Sequence, residues 1–104
     1  MDLATEVYRL TKRFPEDERF GLRLQLRRAA VSVASNIAEG HGRSRKREYL
    51  RYVLIARGSL KEAETQILLA ERLGYLGNSP RDRLLELTTE VNKLLTGLKR
   101  RLEQ

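Results

Sequence analysis

From Tyr49 to Ala70 the chain reads YLRYVLIARGSLKEAETQILLA, and in it Tyr49, Val53, Ala56, Leu60, Ala63, Ile67 and Ala70 recur at alternating spacings of four and three. Side chains three and four apart share one face of an α-helix, so the pattern predicts a long amphipathic helix with a continuous apolar stripe. Ser44, a good N-cap residue, marks its start and Gly74 its end. About 30 residues of helix make a rod of about 45 Å.

A stripe of that length needs comparable partners, and the flanking sequence supplies them. A first, short helix is expected from about Asp2 to Arg13, with Leu3, Val7 and Leu10 on one face and Phe14-Pro15 as its stop. A second is expected from Pro15 to Glu39. There proline and the acids Glu16, Asp17 and Glu18 suit a first turn, and Gly40 ends it. The fourth opens at Ser79-Pro80 and carries Leu84, Leu87, Val91, Leu94, Leu98 and Leu102 on one stripe. Connections of a few residues make neighbouring helices antiparallel. The expected fold is all-α, an antiparallel up-and-down four-helix bundle forming a single domain over residues 1–104.

Composition narrows the chemistry. The chain has no cysteine and one histidine, His41, so no disulfide, thiolate zinc site or histidine metal cluster can be assembled. No metal and no cofactor are expected. The N-terminus lacks the basic and apolar regions of a signal peptide, and no window approaches the roughly 20 apolar residues that span a bilayer. A cytoplasmic location and no membrane partner are expected.

The positive charge is concentrated. Between Arg19 and Arg57 ten cations face only Glu39 and Glu48, while the remainder of the chain carries −1 of the net +7. Arginine outnumbers lysine 16 to 5, which suits bidentate contacts to phosphate or carboxylate. Arg43, Arg45, Lys46 and Arg47 surround the start of the third helix, with Arg51 one turn on. Cations there oppose the helix dipole at a few tenths of a kcal/mol each, and free N–H groups at a helix start attract anions. We read this cluster as a nucleic-acid-binding site, delivered to one end of the bundle by a flexible Gly40-x-Gly42 turn. Antiparallel packing would bring Lys99, Arg100 and Arg101 to that end, where they complement the dipole of the fourth helix.

Arg19, Arg23 and Arg27 recur at i, i+4 and i+8. They either extend a phosphate track or pair with acids such as Glu6 or Glu62. Arg28, beside an apolar run, reads as a structural or interfacial charge that needs a carboxylate. From Ala29 to Ala38 the sequence is small or apolar on every side, so the helix must be covered all round. The first helix, folded back from Phe14, would reach only to about Arg28. Either the chain's own bundle covers the rest, or a second subunit packs on Ala29, Ala30, Val33, Ala34 and Ile37. Asn36 and Glu39 lie within or beside this run as structural polar groups. Gly58-Ser59 marks a close approach of helices or relief of crowding, with Ser59 its polar member. Tyr8, Tyr49, Tyr52 and Tyr75 suit core positions with rim hydroxyls, base stacking being the other use. There is no Walker motif, no nucleophile with a placed base and no triad around His41, so no enzymatic activity is expected.

Two longer runs carry a resemblance. They are Phe14-Pro15-x3-Arg19-Phe20-Gly21-Leu22-x2-Gln25-x-Arg27-Arg28-Ala29-Ala30-Val31-Ser32-Val33-x2-Asn36-Ile37-Ala38-Glu39-Gly40, and Ile55-Ala56-Arg57-Gly58-Ser59-Leu60-x3-Glu64 followed by Leu73-Gly74-Tyr75-Leu76. Together they resemble the four-helix-bundle family encoded in intervening sequences of bacterial large-subunit ribosomal RNA genes, also described as ribosomal-protein-S23-like. That family is similar in turn to the accessory variability determinant of diversity-generating retroelements, a basic homopentamer that associates with a reverse transcriptase. The resemblance implies a homo-oligomer, with a pentamer favoured, that binds RNA, DNA or an RNA/DNA intermediate and has a reverse transcriptase among its candidate partners. The alternative is an interaction scaffold whose basic surface docks an acidic protein without binding nucleic acid.

Overall fold

The computed structural model describes residues 1–104. Four α-helices, α1 (Asp2–Thr11), α2 (Leu22–His41), α3 (Lys46–Arg72) and α4 (Asn78–Leu102), pack as an elongated antiparallel bundle of 44 × 23 × 17 Å. The α3 stripe forms its spine. Val53, Ala56, Leu60, Ala63, Ile67 and Ala70 are all fully buried, with α2 on one side and α4 on the other. Leu26 from α2, Val7 from α1, and Leu84 and Leu95 from α4 complete the core. Losing a side chain such as Leu60 to alanine there would cost about 2–5 kcal/mol.

The element boundaries depart from the sequence reading where capping is tertiary. Helix α2 begins at Leu22 and not at Pro15, because Glu16–Glu18 form a separate 3-10 turn. One Glu18 oxygen accepts the Leu22 N–H at 2.9 Å and the other accepts the Tyr75 hydroxyl at 2.9 Å. The acid thus caps α2 from outside the helix and ties it to the α3–α4 connection. A Cβ at Gly21 would collide with that carboxylate. Donation to Glu18 holds the Tyr75 phenol above its ordinary pKa, and the Phe14 ring packs 5.5 Å from Tyr75. Helix α3 starts after Arg45 with no side-chain cap from Ser44. It closes in a Schellman motif, with Tyr75 N–H on the Ala70 carbonyl, Gly74 N–H on the Glu71 carbonyl and Gly74 at φ 81°. Helix α4 starts at Asn78, which places Pro80 third in the helix, where its missing N–H has no intrahelical acceptor to satisfy. Its stripe drifts onto Leu95, leaving Leu94 half exposed.

The passage from Lys12 to Gly21 turns the chain widely enough that α1 runs further along α2 than Arg28. Met1 and Ala4 line one hollow with Ala34, Ile37 and Ala38. Ala29, Ala30 and Val33 are at most 4% exposed and belong to the chain's own core, so they are not free to meet a second subunit. Ala34 and Ile37 remain partly accessible. Gly58 makes no close approach, since nothing lies within 4 Å of a Cβ built there. Gly40 does. It lies inside the last turn of α2, and an added Cβ would stand 2.9 Å from Tyr49 Cδ1 and 2.9 Å from Tyr52 Cβ.

These glycines predict opposite signs for one substitution. Gly58→Ala and Gly97→Ala, on open helix faces, should each stabilise the protein by about 0.5–1 kcal/mol. Gly40→Ala should destabilise it by about 1–3 kcal/mol, because Tyr52 Cβ cannot swing aside as a flexible tip would. Urea denaturation of the three variants reads this directly.

Candidate nucleic-acid interface

The last turn of α2 and the first turn of α3 meet at one end of the bundle, the end toward which the antiparallel α4 runs. Between α2 and α3 the chain reverses within a few residues. Gly42 N–H is shared between the Ala38 and Glu39 carbonyls, and Arg43 N–H meets the Gly40 carbonyl at 3.0 Å. Gly42 has φ −78°, an ordinary value, so the turn is tight and regular, not flexible. The glycine that matters is Gly40, which lets α2 close onto the rings of Tyr49 and Tyr52.

Those rings then hold the turn's side chains. Arg43 donates to the Tyr52 hydroxyl at 3.1 Å and to Glu39 at 3.1 Å, with its guanidinium 5.2 Å from the Tyr52 ring centroid. Tyr52 first and then Glu39 raise the Arg43 pKa. His41 Nδ1 lies 3.3 Å from the Tyr49 hydroxyl, ring edge to face. Arg43 is thus an oriented residue whose charge is partly answered within the chain.

Arg45, Lys46, Arg47 and Arg51 differ. All are exposed and none has an ion pair. The first helical hydrogen bond of α3 is Tyr49 N–H to the Arg45 carbonyl, and no side chain caps the amides ahead of it. Free N–H groups and unpaired cations are therefore both open to solvent at the start of α3. Along α4, Lys99 is engaged with Glu103 at 3.0 Å, while Arg100 and Arg101 are exposed and unpaired.

Arg19, Arg23 and Arg27 of the α1–α2 region have partners within the chain. Arg19 and Arg23 pair with Glu16 at 3.9 and 3.7 Å, and neither meets Glu6 or Glu62. Glu6 is taken by Arg9 at 2.8 Å, a hydrogen-bonded pair that holds its carboxyl below the usual range. Arg27 donates to the Thr11 hydroxyl at 2.8 Å and to the Tyr8 carbonyl, with its guanidinium 4.6 Å over the Tyr8 ring. Of the stripe, Arg27 ties α2 to α1, while Arg19 and Arg23 are engaged with Glu16 of the 3-10 turn. Arg28 is exposed without a carboxylate, contrary to the structural role expected of it. Asn36 donates to the Ser32 carbonyl at 2.8 Å, and the Ser32 hydroxyl meets that of Ser59 at 2.8 Å, so this polar seam joins α2 to α3.

The sequence profile of the 23S rRNA-intervening sequence protein family matches residues 1–97. The chain belongs to that family. Its fold is shared with a crystal structure of a protein with unknown function from the S23 ribosomal protein family of Bacteroides thetaiotaomicron. The two superpose with a TM-score of 0.86 at 24% identity, covering 94% of this chain and 92% of that one. No curated protein matches the chain.

In this member of the intervening-sequence protein family all four tyrosines have local duties. Tyr8 lies under Arg27, Tyr49 and Tyr52 serve His41 and Arg43, and Tyr75 donates to Glu18. Sequence reasoning missed Glu16, Glu18 and Gly40 as positioning residues. Gly40 alone carried a signal, since it precedes Tyr49 and Tyr52, two tyrosines that bracket one helical turn. Arg27→Met should cost about 1–2 kcal/mol by removing the hydrogen bonds and the cation–π interaction. Replacing Arg45, Arg47 and Arg51 together by serine should change stability by no more than about 0.5 kcal/mol. Thermal and urea denaturation separate the two groups.

Proposed function

We propose that this protein is a non-enzymatic, homo-oligomeric nucleic-acid-binding protein whose ligand is RNA or an RNA/DNA intermediate. One observation carries the reading. Arg45, Lys46, Arg47 and Arg51 stand unpaired around uncapped amides at the start of α3, in a fold that pairs or stacks Arg19, Arg23, Arg27 and Arg43. A phosphate chain satisfies both the cations and the amides, and its binding is electrostatic and tolerant of sequence. An accessory role beside a reverse transcriptase is the biological setting drawn from the resemblance to the retroelement determinant.

Self-association is supported by the accessible apolar surface on α2 and α4, and five subunits are favoured by the resemblance alone. Val31 is 40% and Leu94 50% exposed, and Leu94 lines the hollow that also includes Ala34 and Ile37. Light scattering should give about five times 12.1 kDa at micromolar concentration, and Ala34→Glu should dissociate the assembly. A monomer would contradict this part.

Changing Arg43, Arg45, Lys46 and Arg47 together to glutamine should weaken binding to RNA and DNA by similar factors. The salt dependence should flatten by about one unit in log–log slope for each phosphate that is no longer neutralised. Fluorescence anisotropy over a salt series checks both. Unchanged affinity in the variant would move the site elsewhere.

A further inference from the structure

The arginines that reach for phosphate also rim a surface that phosphate does not use. Arg45, Arg47 and Arg51 flank a shallow, open groove of about 690 Å³ along the outer face of α3, lined also by Glu48, Leu50, Leu54 and Ile55. Leu54 and Ile55 are 46% and 42% exposed, whereas the adjacent Val53 and Ala56 are fully buried. Glu48 is the one acid in the lining, outnumbered by three guanidinium groups that it does not pair with. From Arg45 to Ile55 the helix rises about 15 Å, room for a few consecutive nucleotides.

The two forms of nucleic acid meet this surface differently. A duplex turns its base faces inward and offers phosphate and sugar, which leave an aliphatic surface without a partner. A single strand exposes the faces of its bases. With its phosphates held by the flanking arginines, those faces come to lie on the aliphatic surface between them, and guanidinium planes add stacking. The four tyrosines are engaged elsewhere, so Leu50, Leu54 and Ile55 are the apolar surface that lies between these arginines.

We propose that the α3 groove selects single-stranded over duplex nucleic acid, the arginines holding the backbone while Leu50, Leu54 and Ile55 receive unpaired bases. The proposal rests on the phosphate-binding reading of Arg45, Arg47 and Arg51. Charge complementarity and continuity with that cluster favour a single strand over an acidic amphipathic protein segment as the occupant.

The test is anisotropy at one moderate salt concentration, using a short fluorescein-labelled RNA of mixed sequence and the same strand annealed to its complement. The wild-type protein should bind the single strand about tenfold or more tighter than the duplex. The double variant Leu54→Ser with Ile55→Ser, whose helicity is verified by circular dichroism, should lose about tenfold on the single strand and stay within about twofold on the duplex. Equal wild-type affinities, or a preference that survives in the double variant, would overturn the proposal while leaving phosphate binding intact. Absence of binding to either RNA at low salt would bring down the phosphate reading as well. A Leu- and Glu-rich helical peptide whose binding depends on Leu54 and Ile55, when strand binding does not, would assign the groove to a protein partner.

Discussion

The basic end of the molecule depends on the contact at Gly40, where α2 and α3 meet with no side chain between the α2 backbone and the rings of Tyr49 and Tyr52. That approach sets the reversal at residues 42–45, and with it the direction in which α3 begins. It also brings two phenol hydroxyls within reach of the turn, where they take His41 and Arg43. Once these are engaged, the remaining cations stand on the outer side of α3. A methyl group at position 40 would disturb the fold and the aim of the arginines together.

Cations in the first turn of a helix oppose its dipole and one another, a cost of a few tenths of a kcal/mol for each. The fold tolerates this because α3 is anchored over its length by fully buried Val53, Ala56, Leu60, Ala63, Ile67 and Ala70. The same logic separates the two sets of arginines. Arg19, Arg23 and Arg27 have an acid or an aromatic ring placed for them by the 3-10 turn and by Tyr8, whereas Arg28 has neither. Those at the start of α3 have none, and their charge remains available to a ligand.

Much of the architecture was legible because it is encoded by local periodicity. The α3 stripe needed only the alternation of four and three to be placed, and the bundle followed from short connections. Boundaries were less legible where the capping group comes from elsewhere. The acids at 16–18 look like a helix start, yet Glu18 works four residues downstream and across to Tyr75, which no local pattern reveals. Leu94 and Leu95 could not be ranked by a strict repeat, since a straight helix drifts against it over several turns. Within the candidate site, the cluster from Arg43 to Arg51 was visible as unbalanced charge. For the stripe at Arg19, Arg23 and Arg27, pairing with an acid was one of two open readings. The acid is Glu16 of the 3-10 turn for the first two, and for Arg27 the partners are Thr11 and Tyr8, which lie 16 and 19 residues away. Gly40 read as a stop signal, and only the tertiary contact shows it as a point of close approach.

The most direct test of the central claim is to map amide chemical shifts of the isotope-labelled protein during titration with a short single-stranded RNA. The account predicts that the largest changes fall on residues 44–55, with small changes at Arg19, Arg23 and Arg27. Changes centred on Arg19 to Arg27, with residues 44–55 undisturbed at saturation, would contradict it.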